Sequence, residues 1–250
     1  MIVQACLNGA REASYHRALP VTADAIARDA VEVVAAGANE IHVHIRDADG
    51  RETLRPEFVD DAMTKLRRAC PGTLIGVSTG EWIEKDDARR RDCIRNWSAL
   101  PDYASVNLAE ADCAAVIALL ETRGIGIEAG IWTAADAARC LELDLGTRAL
   151  RLLFEVMKQE TGAVLPELAA IEARLGDAAR RKPVLLHGFD TTAWVAVEAA
   201  LVRGYSTRIG FEDTRELPNG VVAPSNAALV AAAVELRKAL AARPGLSPAR

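Results

Sequence analysis

Short runs of β-type residues alternate along the whole chain with longer stretches of helical periodicity. The first apolar run is 2–7. A helix is expected from Thr22, a hydroxyl residue placed to cap an apolar-periodic stretch, to about Gly37. Strand and helix pairs follow at 40–46 and 56–70, 73–78 and 85–100, 103–108 and 111–123, and 126–131 and 134–145. The remaining pairs are 149–156 and 166–180, 183–188 and 191–203, and 206–211 and 225–241. Pro56 suits a first helical turn. Strict alternation predicts βα units and a parallel sheet. Eight units in 250 residues match one closed (β/α)8 barrel, a TIM barrel forming a single domain over 1–250. An open doubly wound sheet is the alternative, and the length favours the barrel.

Active sites of such barrels gather at the C-terminal ends of the strands, so polar residues there are the candidates. His42 and His44 are two apart on one strand and share a face. Two imidazoles at that spacing can grip one metal ion with Zn–N bonds of about 2.0–2.1 Å. The structural alternative is a pair of core histidines bonded to carbonyls. A third ligand is sought at another strand end. Glu212 and Asp213 close strand eight and point in different directions, one toward a metal and the other toward substrate. A solvated acidic pair is the alternative. A His₂Glu set with open positions is a catalytic type of zinc site. Arg208 has the parity of Glu212, and a buried charge needs a partner. It is expected to meet Asp213, Glu212 or a bound substrate, or else to snorkel outward.

Ser78-Thr79-Gly80 ends strand three with hydroxyls and a glycine, which suit ligand oxygens and equally suit an ordinary turn. Ser105 and Asn107 share a face of strand four. Glu128 is an acid in an apolar run and is expected to face the barrel mouth. Glu155 and His187 stand undecided between site and structure. Arg11 and Glu12 leave strand one at the rim, as substrate contacts or as a solvated pair. His16 is assigned to the surface.

A net charge of −5 offers no footprint for nucleic acid and no anchor for anionic lipid. No apolar run approaches the roughly 20 residues needed to span a bilayer, and no secretory signal is expected. The five cysteines show no CxxC pair. They are expected as reduced, mostly core thiols of a cytoplasmic protein rather than a disulfide framework. Dinucleotide-binding and P-loop glycine patterns are missing, as is a nucleophile elbow.

Taken together, these pieces resemble the β-keto acid cleavage enzymes, whose founding activity is 3-keto-5-aminohexanoate cleavage. The resemblance spans about 2–240. It rests on Asn8-Gly9-Ala10, Leu19-Pro20-Val21-Thr22, His42-Val43-His44-Ile45-Arg46-Asp47 and Ser78-Thr79-Gly80. It rests further on Ser105-Val106-Asn107, Arg208-Ile209-Gly210-Phe211-Glu212-Asp213 and Ser225-Asn226-Ala227. The resemblance implies a homotetramer of barrels, with zinc held by His42, His44 and Glu212. It implies condensation of a β-keto acid with acetyl-CoA and cleavage to acetoacetate and a new acyl-CoA. Arg208 and Asp213 would form the acid–base pair. Ser78 and Ser105 would position the reacting groups, with Ser105 standing where the family pattern has threonine. Glu128 matches an acidic position near the mouth. Asn107, Glu128, Arg11, Glu12 and Gly80 are then the candidate substrate contacts.

Three departures bear on substrate. Arg11 stands where some members carry an acid that reads the substrate's amine, which argues for an anionic or neutral substrate. The stretch after strand six is short, and Lys158 to Val164 lacks the usual glycine-rich character. His187-Gly188-Phe189-Asp190 replaces a Gly-x-Gly-Arg type of turn. Two other readings compete: another metal-dependent C–C lyase or hydrolase on the same barrel, and a non-catalytic barrel that binds a small acid.

Overall fold

The computed structural model describes residues 1–242. Its eight strands are β1 (Val3–Cys6), β2 (Glu40–Val43), β3 (Leu74–Ser78), β4 (Tyr103–Asn107), β5 (Gly126–Ile131), β6 (Arg151–Val156), β7 (Val184–Gly188) and β8 (Ser206–Ile209). Each pairs in parallel with its neighbours in chain order, and β1 pairs with β8 to close the barrel. The barrel expectation is met. The strands are buried on both faces, as a sheet wrapped by helices requires.

Around the barrel run α1 (Ala23–Ala35), α2 (Pro56–Ala69), α3 (Asp87–Arg95), α4 (Cys113–Thr122) and α5 (Ala134–Glu142). After them come α6 (Leu145–Arg148), α7 (Val164–Leu175), α8 (Ala178–Arg181), α9 (Ala193–Arg203) and α10 (Asn226–Ala241). Local chemistry sets their starts. Thr22 caps α1 by accepting from Ala25 N–H, Pro56 is the first residue of α2, and Ser225 caps α10 by accepting from Ala228 N–H.

The structure departs from the sequence reading where side chains or glycines intervene. The helix expected over 85–100 is only Asp87–Arg95: Asp86 caps its start, and Asp60 draws the chain away by accepting from Ser98 and Ala99 N–H. The helix expected over 166–180 breaks at Gly176, which has φ 53°. Strand two was expected to reach residue 46. It ends at Val43 because the main-chain groups of His44 bond the Asn8 side chain instead of a neighbouring strand. Strand eight ends at Ile209 because the chain turns at Gly210, whose carbonyl accepts from Asp213 and Thr214 N–H. A Cβ at Gly210 would sit 1.9 Å from the Cys6 carbonyl oxygen, so only glycine lets the two chains approach this closely.

The floor of the barrel is charged. Arg151 pairs with Glu40 and lies 3.1 Å from Glu128, while Gln4 Nε2 donates to Glu128 (3.0 Å) and to the Tyr103 hydroxyl (2.9 Å). Burial pushes the Glu128 carboxyl above its ordinary pKa, against the pull of Arg151. The expectation that Glu128 faces the mouth is therefore corrected: it is fully buried in the floor layer, where Arg151 compensates its charge. His16 is also corrected. It is buried and stacks on Phe211 with ring centroids 4.1 Å apart, because the first loop folds back over the end of β8. All five cysteines are buried and free.

Candidate active site

At the C-terminal mouth lies a cavity of about 450 Å³. Strand register assembles its polar side. Ser78 of β3 pairs with Ser105 of β4, and both face the cavity with Asn107, two residues further along β4. Asn107 Nδ2 donates to Glu110 (2.9 Å), and Glu110 is in turn held by the fully buried Arg90 at 2.6 Å.

His42 and His44 come from the end of β2 and Glu212 from the turn after β8. Their potential ligand atoms all lie within 4.8 Å of one another. His44 Nε2 is 3.5 Å from Glu212 Oε1, and His42 Nε2 is 3.9 Å from Glu212 Oε2. Glu52 engages the other nitrogen of His44, with Oε1 2.5 Å from Nδ1. That contact fixes the tautomer that leaves Nε2 free as a ligand. Glu52 itself is anchored by Trp82 Nε1, which donates to its second oxygen at 3.0 Å. Glu212 Oε2 and His42 Nδ1 are buried with no hydrogen-bond partner among the described residues. Buried polar atoms are rarely left without partners. Two imidazoles, a carboxylate and an orphaned oxygen in one buried cluster fit a divalent cation.

Burial and neighbouring charges push the members of the cluster in different directions. Burial pushes His42 well below the ordinary histidine range. Burial also lowers His44, but Glu212 and Glu52 outweigh it and hold this histidine at about 9. Burial raises Glu212, yet Arg208, His44 and His42 together pull it well below the usual carboxylate range. His42 is thus neutral and His44 charged between the Glu212 and Glu52 carboxylates, and a cation bound here would take the place of the His44 proton.

Behind the triad runs a buried chain of charges. Arg208 pairs through Nη2 with Glu212, and its Nε and Nη2 each lie 3.3 Å from Asp213 Oδ1. The same Asp213 oxygen is 3.0 Å from His187 Nδ1, and His187 Nε2 is 3.2 Å from Glu155 Oε2. Burial and Arg208 lower the pKa of His187, but Asp213 and Glu155 raise it above the ordinary value. His187 and Glu155, adjacent in strand register, thus form an ion pair in the network.

Of the candidates, His42, His44, Glu212, Arg208, Ser78, Ser105, Asn107 and Arg11 line the cavity. Asp213 lies behind Arg208, fully buried, with Oδ2 unpartnered among the described residues. Glu12 is exposed and does not line the cavity: it precedes a single helical turn that points it to solvent. Gly80 is not a lining residue either, because the Trp82 ring covers it and a Cβ there would lie 2.3 Å from that ring. The sequence reading missed Glu52, Trp82, Trp132 and Met157, all on loops or just past strand ends, and named Phe189 only as part of the turn after strand seven. An isolated bridge between Arg46 and Glu52 folds the Glu52 loop back onto β2.

Fold and site together define a (β/α)8 barrel protein with a buried His₂Glu cluster at its catalytic rim. The model of the β-keto acid cleavage enzyme family matches residues 1–249, and the chain belongs to that family. It is similar to the 3-keto-5-aminohexanoate cleavage enzyme of Fusobacterium nucleatum, at 27% identity over 96% of this chain and 92% of the relative. The enzyme of the same name from Acetoanaerobium sticklandii is 23% identical over 95% of this chain and 92% of its own. Among solved structures, apo ObcA superposes with a TM-score of 0.70 at 18% identity, over 89% of this chain and 62% of ObcA. The 3-dehydroquinate dehydratase of Geobacillus kaustophilus gives a TM-score of 0.67 at 15% identity, over 97% of this chain and 92% of its own. These likenesses in structure concern the fold. No helix among the described residues is long and apolar enough to cross a membrane.

Proposed function

We propose that the protein is a zinc-dependent β-keto acid cleavage enzyme that uses acetyl-CoA as co-substrate and releases acetoacetate and a new acyl-CoA. The observation that carries this reading is the meeting of His42, His44 and Glu212 beside the Arg208–Asp213 pair at one cavity. Membership of the family and similarity to two 3-keto-5-aminohexanoate cleavage enzymes support it. The same resemblance supports a homotetramer as the working form, and the free cysteines support a cytoplasmic setting.

A divalent ion held by His42, His44 and Glu212 supplies a Lewis acid for a β-keto carbonyl. The chain's own residues do the rest. Ser78 and Ser105 present hydroxyls to the substrate's polar end. Arg208 spends Nε and Nη2 on Glu212 and Asp213, which leaves Nη1 for a substrate oxygen. Asp213 keeps Oδ2 open as a proton acceptor. The Arg208–Asp213 pair, with Arg208 at the cavity and Asp213 behind it, takes the proton from the carbon between the two carbonyl groups of the keto acid. That carbon attacks the acetyl thioester and releases CoA thiolate. The thiolate adds to the substrate's keto carbon, and the bond between that carbon and the former nucleophilic carbon breaks. The products are acyl-CoA and acetoacetate, with the proton returned.

A panel of β-keto acids incubated with acetyl-CoA tests this reading. CoA-dependent acetoacetate production supports it, with Asp213→Asn lowering kcat by roughly 100-fold or more. Turnover without CoA assigns the protein to another class of lyase. Metal binding without any turnover leaves a small-acid-binding barrel.

A further inference from the structure

We propose that the cavity selects β-keto acids whose acyl side chain is uncharged and apolar, an inference that rests on the cleavage reading above. The cavity has two unlike halves. His42, His44, Ser78, Ser105, Asn107 and Glu212 sit on β2, β3, β4 and just past β8. In a closed barrel of eight strands in chain order, β6 stands opposite β2. The wall that β5, β6 and β7 present carries Trp132, Leu153, Met157 and Phe189. A keto acid held by its carbonyl and carboxylate at the polar half directs its acyl group onto that wall.

The charges around the cavity reinforce the point, because each already has a partner. Arg11 Nη2 is 2.8 Å from Asp190, which also accepts from the Tyr15 hydroxyl at 3.2 Å. Glu155, the acid on the apolar side, is matched by His187 at 3.2 Å. Arg208 lies between Glu212 and Asp213, and His44 between Glu212 and Glu52. With Arg208 Nη1 taken by the keto acid's own oxygen, no lining charge among the described residues is left to receive an ammonium or a second carboxylate on the acyl group. Such a charge would lose its water against indole, leucine and thioether without compensation. An aliphatic or aromatic group gains by burial against the same surfaces.

Arg11 sharpens the case. From sequence alone it argues for an anionic or neutral substrate. In the structure its Nε donates to the Glu212 carbonyl at 3.1 Å and its Nη2 approaches the Asp213 carbonyl at 3.4 Å. The guanidinium braces the turn after β8, and its charge faces Asp190. Of the two options, the neutral substrate is the one that the geometry favours.

The test is kcat/KM for acetoacetate formation with acetyl-CoA and four acids. 3-Oxohexanoate and a phenyl-bearing β-keto acid are apolar, 3-keto-5-aminohexanoate is cationic, and 3-oxoadipate is dianionic. The apolar pair is expected to lead by roughly 100-fold or more. Met157→Lys, at an exposed position where folding is not at stake, is expected to narrow the gap to 3-oxoadipate by about tenfold. A charged substrate that equals or beats the apolar pair overturns the inference while leaving the cleavage reading intact. An unchanged ratio in Met157→Lys overturns the assignment of the wall. Turnover of none of the four overturns the cleavage reading and this inference with it.

Discussion

The side chain of Asn8 brackets the main chain of His44: Nδ2 donates to the His44 carbonyl and Oδ1 accepts from its N–H, both at 2.9 Å. Nδ2 also donates to the Pro20 carbonyl at 3.0 Å. An asparagine at the end of β1 thus substitutes for the missing strand partner of a candidate metal ligand. Asn8→Ala leaves a buried N–H and carbonyl unpaired, and a loss of about 2–4 kcal/mol is expected in denaturant unfolding. Asn8→Asp keeps the acceptor for His44 N–H but sets a carboxylate against two carbonyl oxygens. Comparable destabilisation is expected there. Full stability in Asn8→Ala would show that the bracket is dispensable.

Glu52 orients His44 without being a ligand candidate itself. Glu52→Gln keeps the size of the side chain but loses the charge that faces Nδ1. Zinc affinity, measured by competition with a chromophoric chelator, is expected to fall roughly 10- to 100-fold with the fold retained. Unchanged affinity would mean that the Glu52 contact does not tune the site.

Gly9 is where backbone geometry and the site collide. Its φ is +53°, and a Cβ there would lie 2.4 Å from Glu212 Cγ. Gly9→Ala therefore combines a left-handed backbone penalty with displacement of Glu212. Loss of zinc binding is expected to accompany a lowered Tm. Retention of wild-type zinc affinity would show that Glu212 has room to move.

Much of this was legible in the sequence, and the failures have physical causes. Alternation of strand and helix patterns makes the barrel plain, and the spacing of His42 and His44 puts both on one face. Glu128 shows the limit. A lone acid in an apolar strand reads the same whether it faces mouth or floor, and the choice depends on Arg151, in register with it on the next strand. Glu52 was hidden because its role depends on how a loop folds back onto β2. Trp82, Trp132, Met157 and Phe189 follow strand ends with no periodic signal. His187 was undecidable until its register with Glu155 and its contact with Asp213 were known.

Asn226 ties the segments that follow β1 and β8 to each other and to α1. It accepts from Phe211 N–H at 2.6 Å and donates to the Leu7 carbonyl at 2.8 Å and to Asp29 at 2.7 Å. Burial raises the pKa of Asp29 from 3.8 to about 7, against the stabilising bond from Asn226. Because the folded pKa lies above the unfolded one, the stability tied to this group is full below about pH 4. It declines as pH rises toward about 7 and is flat above that. Asp29→Asn preserves an acceptor for Asn226 and removes the titration. Relative to this variant, the wild type is expected to lose stability between those limits, by a few kcal/mol at most. Parallel stability–pH curves for the two proteins would contradict the assignment.

The central claim is that His42, His44 and Glu212 hold one divalent ion, and elemental analysis of the purified protein tests it most directly. Stoichiometric zinc in the wild type, lost in a folded His44→Ala variant, is the predicted result. Wild-type protein that holds no metal even after zinc is added, or a variant that retains as much as the wild type, would contradict it.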